Sequence, residues 1–172
     1  KLTVLEKEDK ETKKILEKFN DINILEQKSN GYGNALIEGI NNTETDFCCI
    51  INADGSMDPK YLEEMRKLCE NKDLIFASRY QKPGGGSDDD DFVTIIGNAV
   101  FTFLGNFLFK LKISDILYTY ILGRTSSFKK LDLKNHDFRI CVEIPIKAKI
   151  LNIEYSCTPS YERERIGGKK KV

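Results

Sequence analysis

The chain has 172 residues, 40% of them hydrophobic and 31% charged, and these values exclude an intrinsically disordered chain. The length favours a single domain over residues 1–172, because two ordinary domains need more chain. Basic and acidic residues number 27 each, so the net charge gives no reason to expect a nucleic acid partner.

Predicted strands and helices alternate along the first half of the chain. In order they are a helix over 12–19, a strand over 22–26, a helix over 35–40, a strand over 46–52, a helix from Asp58-Pro59 and a strand over 74–77. The uninterrupted apolar run over 47–51 is typical of a strand buried on both faces. Asp58 suits the N-cap position and Pro59 the first helical position. This order predicts an α/β fold with a mainly parallel sheet flanked by helices.

A glycine-rich stretch over 84–86 and four aspartates, Asp88 to Asp91, precede 18 uncharged residues, Phe92 to Phe109. The aspartates are interpreted as a mobile solvated loop that closes over substrate. Polar residues recur at every fourth position of the uncharged stretch, at Thr94, Asn98, Thr102 and Asn106. An apolar helix over 92–112 with such a stripe packs on the domain or lies on a membrane surface more readily than it spans a bilayer.

The first indication of a functional site is the segment Asn52-Ala53-Asp54-Gly55-Ser56, where a carboxylate lies just past a predicted buried strand. Ligands of open α/β sheets gather beyond the carboxyl ends of the strands. A divalent cation held there by carboxylate and amide oxygens would neutralise a diphosphate leaving group. The alternative is a polar turn with an aspartate that caps the next helix, and these residues alone leave both interpretations open.

Four motifs occur in order: Asn30-Gly31-Tyr32-Gly33-Asn34-Ala35, Asn52 to Pro59, Ala77-Ser78-Arg79-Tyr80 followed by Gly84 to Gly86, and Arg165 to Lys171. Together they resemble glycosyltransferase family 2, and within it the polyprenyl-phosphate sugar transferases such as dolichol-phosphate mannose synthase. The resemblance implies a GT-A-type, Rossmann-like fold. The family's first strand, which ends in P-x-Y-N-E, is missing or diverged in this sequence.

The resemblance also implies roles for individual residues. The implied catalytic residues are Asp54, Arg79, Asp115 and Arg165. The implied donor-binding residues are Gly31, Gly33, Asn52, Ala53 and Lys171. Asp54 and Ser56 are the implied ligands of a divalent cation, Mg²⁺ or Mn²⁺. Asn52 departs from the family, because it occupies a position where relatives carry an aspartate and supplies no charge.

The function implied is an inverting transfer of a sugar from a nucleotide-sugar donor to a polyprenyl (dolichyl or undecaprenyl) phosphate. A phosphate acceptor is already ionised at neutral pH and needs no strong general base. Two alternatives stay open: transfer to a glycan hydroxyl in surface polysaccharide synthesis, and a non-catalytic scaffold domain. We expect a cytoplasmic protein at the cytoplasmic face of a membrane, with peripheral membrane contact.

Overall fold

The computed structural model describes residues 1–167. The strands are β1 Leu2–Leu5, β2 Asn23–Glu26, β3 Phe47–Ile50, β4 Leu74–Ser78, β5 Gly86–Ser87, β6 Ile121–Arg124, β7 Tyr155–Pro159 and β8 Tyr161–Glu162. The α-helices are α1 Lys10–Leu16, α2 Tyr32–Asn41, α3 Leu62–Leu68, α4 Phe92–Phe109, α5 Thr125–Lys130 and α6 Ile140–Ile150. A single 3₁₀ turn, Pro59–Tyr61, leads into α3, and the Asp58 side chain caps it as predicted.

The central sheet has four strands in the order β3, β6, β4, β7. β4 pairs with β7 in parallel, whereas β6 runs antiparallel to both β3 and β4. The strands β3, β4 and β7 therefore point the same way, as the sequence pattern predicts, and β6 is an antiparallel member that the pattern did not reveal. β1 and β2 form a separate parallel pair joined through α1.

The core forms on both faces of β4, whose five residues are all buried. Leu74 and Phe76 point to one face, where they pack with residues of α5 and α6. Ile75 and Ala77 point to the other face and pack against Met65 of α3. Alternation along a strand sends successive side chains to opposite faces, so β4 holds two layers of helix together.

Two short strands bring distant parts of the chain to one edge of the sheet. β5 pairs in parallel with β8, with Gly86 opposite Tyr161 and Ser87 opposite Glu162. Met57, just beyond the end of β3, forms an antiparallel bridge with Glu162. The acidic segment, defined as Asp88–Asp91, continues directly from β5 and therefore lies beside β8.

The helix α4 packs on the domain through its polar stripe, and its apolar side chains face outward. Asn98 is buried at 1% exposure, while Phe103 and Phe107 are 66% and 71% exposed. Both polar atoms of the Asn106 side chain form hydrogen bonds with Ile113. Nδ2 donates to its carbonyl, and Oδ1 accepts from its amide. The predicted stripe is confirmed, and its orientation leaves the hydrophobic side of α4 uncovered within residues 1–167.

Candidate functional site

The end of β3 turns sharply at Asp54. Oδ1 of Asp54 accepts hydrogen bonds from the backbone amide of Ser56 at 3.0 Å and from its hydroxyl at 2.8 Å. Gly55 adopts a φ of +82°, a conformation that glycine reaches without strain. The Asp54 carbonyl in turn accepts from the Ile166 amide at 2.9 Å. The turn is thus held by its own side chains and by the segment that follows β8.

Asn52 faces an aromatic cluster behind this turn. Its Oδ1 accepts a hydrogen bond of 3.3 Å from the Tyr32 hydroxyl, which also bonds to the hydroxyl of Thr119. The Tyr32 ring stacks on Phe138 at a centroid distance of 4.8 Å. Burial raises the pKa of Tyr32, so this phenol stays neutral and can donate to Asn52.

The glycines of the first motif allow close approach of two backbone segments. A Cβ added at Gly31 would collide with the His136 carbonyl oxygen, and one added at Gly33 would collide with that of Asn135. The amide of Asn34 donates to the His136 carbonyl at 3.1 Å. The close packing of α2 against residues 135–137 therefore explains why glycines occupy these two positions. Ala53, by contrast, is exposed beyond the end of β3.

The guanidinium of Arg79, which follows β4, is buried among three carboxylates. Nε and Nη2 bond to the two oxygens of Asp115 at 2.8 and 3.1 Å, in a bidentate pair. Nη1 donates to Asp90 at 3.0 Å and to Glu162 at 3.1 Å. The Tyr118 ring lies 4.6 Å from the guanidinium carbon. Arg79, at 7% exposure, therefore holds together the loop after β4, the acidic segment and β8.

The pKa values of this cluster reflect both burial and charge. Burial lowers the pKa of Arg79, but the hydrogen bonds and charges of Asp115, Glu162 and Asp90 outweigh it and raise that pKa overall. Burial raises the pKa of Glu162, and the nearby Arg79 charge offsets only part of this shift. Asp115 is 1% exposed and bonded to Arg79, so it lies behind the site as a residue that positions the arginine.

The acidic segment is fixed, contrary to the interpretation of a mobile solvated loop. Asp88 accepts from the Tyr161 hydroxyl, and Asp89 pairs with Arg165 at 2.8 Å. Asp90 binds Arg79 and accepts a 2.5 Å hydrogen bond from the Tyr80 hydroxyl. The side chain of Asp91 caps α4 by accepting from the Thr94 amide at 2.7 Å. Distant residues, Tyr161 and Arg165, hold Asp88 and Asp89, and a run of like charges does not reveal such partners.

The structure brings four of the predicted residues to one edge of the sheet. Asp54 and Ser56 lie beside the 163–166 segment, because the Arg163 amide donates to the Ser56 carbonyl at 2.9 Å. Arg165 lies in that segment, and its pKa is raised by the hydrogen bond with Asp89, with a further contribution from the charge of Asp54. Arg79 reaches the same edge through Glu162. Lys171 lies outside the described residues.

Asp54 offers a single carboxylate to a cation. Within residues 1–167, no three His, Cys, Asp or Glu side chains are grouped to hold a metal ion. Oδ1 of Asp54 accepts the proton of the Ser56 hydroxyl, whose oxygen keeps its lone pairs but is buried. Mg²⁺ commonly binds through one or two carboxylates together with substrate phosphates and water. The donor set at Asp54 fits a cation of this kind, provided that a diphosphate completes its coordination.

Sequence patterns missed several residues of this edge. Glu162, Asp90 and Asn98 all join the Arg79 cluster. The only available signal for Glu162 was its place just before the Arg165 motif. Asn98 was visible as a member of the polar stripe, but its contact with Asp115 depends on how α4 is oriented.

Comparison with known proteins agrees with this architecture. A family model described as glycosyl transferase family 2 matches residues 7–132. A structure of glucosyl-3-phosphoglycerate synthase from Mycobacterium tuberculosis in complex with uridine diphosphate is 11% identical with a TM-score of 0.68, and the match covers 99% of this chain and 61% of that one. A mycobacterial protein gives a TM-score of 0.72 at 10% identity, covering 97% of this chain and 57% of the other.

A third structure, S. aureus TarS 1-349, is 16% identical with a TM-score of 0.59, and the match covers 95% of this chain and 50% of that one. The same mycobacterial synthase has also been solved with Mn²⁺, uridine-diphosphate-glucose and phosphoglyceric acid. At these identities the likeness shows the fold, and the GT-A-type α/β fold expected from the sequence is confirmed. The chain spans about 50 to 61% of the length of these three structures.

Proposed function

The chain belongs to glycosyltransferase family 2, and from this premise we propose that it transfers a sugar, with inversion, from a nucleotide-sugar donor to a polyprenyl phosphate at a membrane surface. The observation that carries the choice of acceptor is the outward apolar face of α4. An acceptor with a long hydrocarbon chain resides in a bilayer, and its enzyme must meet it there.

The apolar face of α4 has the properties of a helix that lies in a membrane interface. Its exposed side chains include Phe92, Val93, Val100, Phe101, Phe103, Phe107 and Leu108. No charged residue interrupts the 18 positions of the helix, and the exposed Lys110 and Lys112 follow at its end. Lysines beside an apolar helix are attracted to anionic lipid headgroups.

A bilayer span is the less suitable arrangement for α4. Phe92–Phe109 is long and apolar enough to cross a membrane, by length and composition only. Its 18 residues give a length of about 27 Å, slightly less than the hydrocarbon core of roughly 30 Å. However, Asn98, Thr102 and Asn106 bond the middle and the end of the helix to the rest of the domain. A helix fastened to one domain along its length lies on the membrane instead of crossing it.

The chemistry at the sheet edge suits an ionised acceptor. A divalent cation held by Asp54 would neutralise the charge that develops on the departing nucleoside diphosphate. Arg165 lies beside Asp54 and would bind phosphate oxygens once Asp89 releases it. The acceptor phosphate oxygen attacks the anomeric carbon as the bond to the diphosphate breaks. Asp115 is bonded to Arg79 and Asn98 and is not placed to serve as a general base, which a hydroxyl acceptor would need.

The test is sugar transfer in vesicles that contain polyprenyl phosphate and anionic lipid, with UDP-, GDP- and dTDP-sugars and with Mn²⁺ or Mg²⁺. We expect a radiolabelled sugar to enter the lipid extract with one donor, and Asp54→Ala to abolish this transfer. Vesicle flotation of Phe107→Glu should show at least about tenfold weaker membrane binding, equivalent to about 1.4 kcal/mol. Phe19→Glu, which alters an exposed phenylalanine beyond α1, is the matched control and should float normally.

The outcomes separate the parts of the proposal. Equal flotation of Phe107→Glu and the unmodified chain would contradict the membrane contact. Turnover with a soluble hydroxyl acceptor, and none with polyprenyl phosphate, would overturn the acceptor class. A folded chain that binds no donor in calorimetric titration would contradict catalysis and favour the scaffold alternative.

A further inference from the structure

Glu162 lies where the charged cluster around Arg79 meets the short strand β8. Its side chain is buried, and Oε2 accepts hydrogen bonds from Nη1 of Arg79 at 3.1 Å and from the Ser87 hydroxyl at 2.9 Å. Nε and Nη2 of Arg79 are bonded in turn to the two oxygens of Asp115. The carboxylate of Glu162 therefore attaches β8 to buried groups that are themselves held in place.

The backbone that follows β8 contacts the turn at Asp54. The Arg163 amide donates to the Ser56 carbonyl at 2.9 Å, and the Ile166 amide donates to the Asp54 carbonyl at 2.9 Å. Arg165 lies between these two bonded residues in the chain. The position of β8 therefore decides where Arg165 stands relative to the Asp54 carboxylate.

The backbone pairing of β8 is short. β8 pairs with β5 over two residues, and Met57 adds an isolated bridge to Glu162. Two-stranded pairs are marginally stable by themselves, and strands of two residues form few hydrogen bonds. The bonds from the Glu162 side chain to the Arg79 cluster are therefore a substantial part of what holds β8 in place.

Charge balance in the cluster does not call for Glu162. Arg79 carries one positive charge, while Asp115 and Asp90, both paired with it, supply two negative charges. A further buried carboxylate adds repulsion and a cost of desolvation, and burial raises the pKa of Glu162 accordingly. A buried carboxylate in excess of the balance, beside a candidate site, indicates a role other than stabilising the fold.

We propose that Glu162 is a positioning residue for sugar transfer, whose side chain holds β8 at the distance from Arg79 that brings Arg165 to the donor diphosphate beside Asp54. This inference rests on the proposed function for the identity of the group that Arg165 binds. It assigns the effect to the reach of the side chain and its acceptor oxygen, not to its charge.

The experiment separates the reach of the side chain from its charge. Glu162→Gln keeps the length and an acceptor oxygen but loses the charge, whereas Glu162→Asp keeps the charge and is shorter by a methylene group. Hydrogen exchange of the Arg163 and Ile166 amides, followed by NMR at constant pH, reports how firmly the segment is bonded to the turn. We expect Glu162→Asp to speed both exchanges at least about tenfold and Glu162→Gln to keep them within about twofold of the unmodified chain.

Thr158→Val is the matched control for general destabilisation. Thr158 of β7 is also buried, and its hydroxyl donates to Glu64 of α3 at 2.9 Å. This variant should lower the melting temperature and leave the exchange of the Arg163 and Ile166 amides unchanged, because such amides exchange through local opening. Melting curves of all three variants verify that each is folded.

Donor binding gives a second measurement. Calorimetric titration with UDP-, GDP- and dTDP-sugars and Mn²⁺ yields the dissociation constant of the donor that the chain binds. We expect Glu162→Asp to raise this constant at least about fivefold, with Glu162→Gln and Thr158→Val unchanged. In transfer assays Glu162→Asp should raise KM for the donor and leave KM for the polyprenyl phosphate unchanged.

The two measurements fail separately. Amide exchange that Glu162→Gln speeds as much as Glu162→Asp does, or that neither variant changes, would overturn the positioning role even where donor binding is normal. The expected exchange pattern in a chain that binds no donor would support the attachment of β8 through Glu162 and contradict the proposed function.

Discussion

Asn98 of α4 donates a hydrogen bond of 2.6 Å from Nδ2 to Oδ1 of Asp115, the carboxylate that grips Arg79. Both residues are 1% exposed. The bond joins α4, whose outer face is apolar, to the charged cluster around Arg79. Because the amide and the carboxylate are both buried, each depends on the other to satisfy its polar atoms.

We expect Asn98→Ala to lower the free energy of unfolding by about 1–3 kcal/mol, the usual cost when a buried polar partner is removed. Urea denaturation measures the change. Val100→Ala, on the outward face of the same helix, is the control and should stay within about 0.5 kcal/mol of the unmodified chain. Equal stability of both variants would show that Asp115 does not rely on Asn98.

Asp89 would compete with the substrate phosphates that we propose Arg165 binds, because it already pairs with that guanidinium at 2.8 Å. We expect Asp89→Asn to tighten nucleotide-sugar binding by up to about fivefold, since partly exposed ion pairs contribute roughly 0.2–1 kcal/mol. Calorimetric titration gives the dissociation constant. Asp88→Asn is the matched control, as its neighbour Asp88 bonds to the Tyr161 hydroxyl and not to an arginine. Weaker donor binding in Asp89→Asn than in Asp88→Asn would refute competition at Arg165.

Asn52 lacks the charge that an aspartate supplies at this position of the motif that the sequence resembles. We expect Asn52→Asp to strengthen Mn²⁺ binding about tenfold in the presence of a nucleotide, because a second carboxylate then lies near Asp54 and cations prefer charged oxygen ligands. Electron paramagnetic resonance of bound Mn²⁺ measures the affinity. Asn71→Asp adds the same charge at an exposed position elsewhere and should have no effect. Unchanged affinity in Asn52→Asp would place the cation away from this position.

Glu162 should make stability fall as pH rises above the ordinary glutamate range. Burial raises its pKa above 4.5, so the folded chain holds this proton more tightly than the unfolded chain does. Its contribution is therefore fully present below the unfolded pKa and is lost as pH rises through the folded pKa. Glu162→Gln should remove this dependence in unfolding experiments between about pH 4 and about pH 8.

Glu154 provides a control of opposite sign for the pH experiment. The hydrogen bond from Lys72 lowers the pKa of Glu154, so its contribution is present above the unfolded pKa and is lost as pH falls. Glu154→Gln should therefore leave the decline in stability at rising pH unchanged. If Glu162→Gln also leaves that decline unchanged, the carboxylate of Glu162 does not cause it.

Much of the fold follows from patterns that are local in sequence. The apolar runs at β3 and β4, the Asp58 cap and the polar stripe of α4 each depend on neighbouring residues, so the order of amino acids alone is enough to indicate them. The antiparallel β6 was not predictable, because strand direction depends on pairing across more than 70 residues, as between Cys48 and Gly123.

The candidate site was predicted only in part for the same reason. The motifs identified Asp54, Arg79 and Arg165, but not the partners that surround them. Asp90 and Glu162 meet at Arg79 because β5 pairs with β8, a contact between segments about 75 residues apart. The acidic segment was misinterpreted because four adjacent aspartates are typical of a solvated loop. Their partners Tyr161 and Arg165 are far away in the sequence, so the pattern does not indicate these bonds.

The inward bonds of α4 have a consequence for where sugar transfer occurs. Asn98, Thr102 and Asn106 fasten the helix to the domain from its middle to its end. The helix cannot roll or rise without disturbing the cluster around Arg79. If α4 lies on a membrane as proposed, its bonds to the domain therefore fix the height of the reaction centre above the acyl chains. Under this proposal, the enzyme would act on phosphates held at one level of the bilayer in preference to chemically identical phosphates in solution.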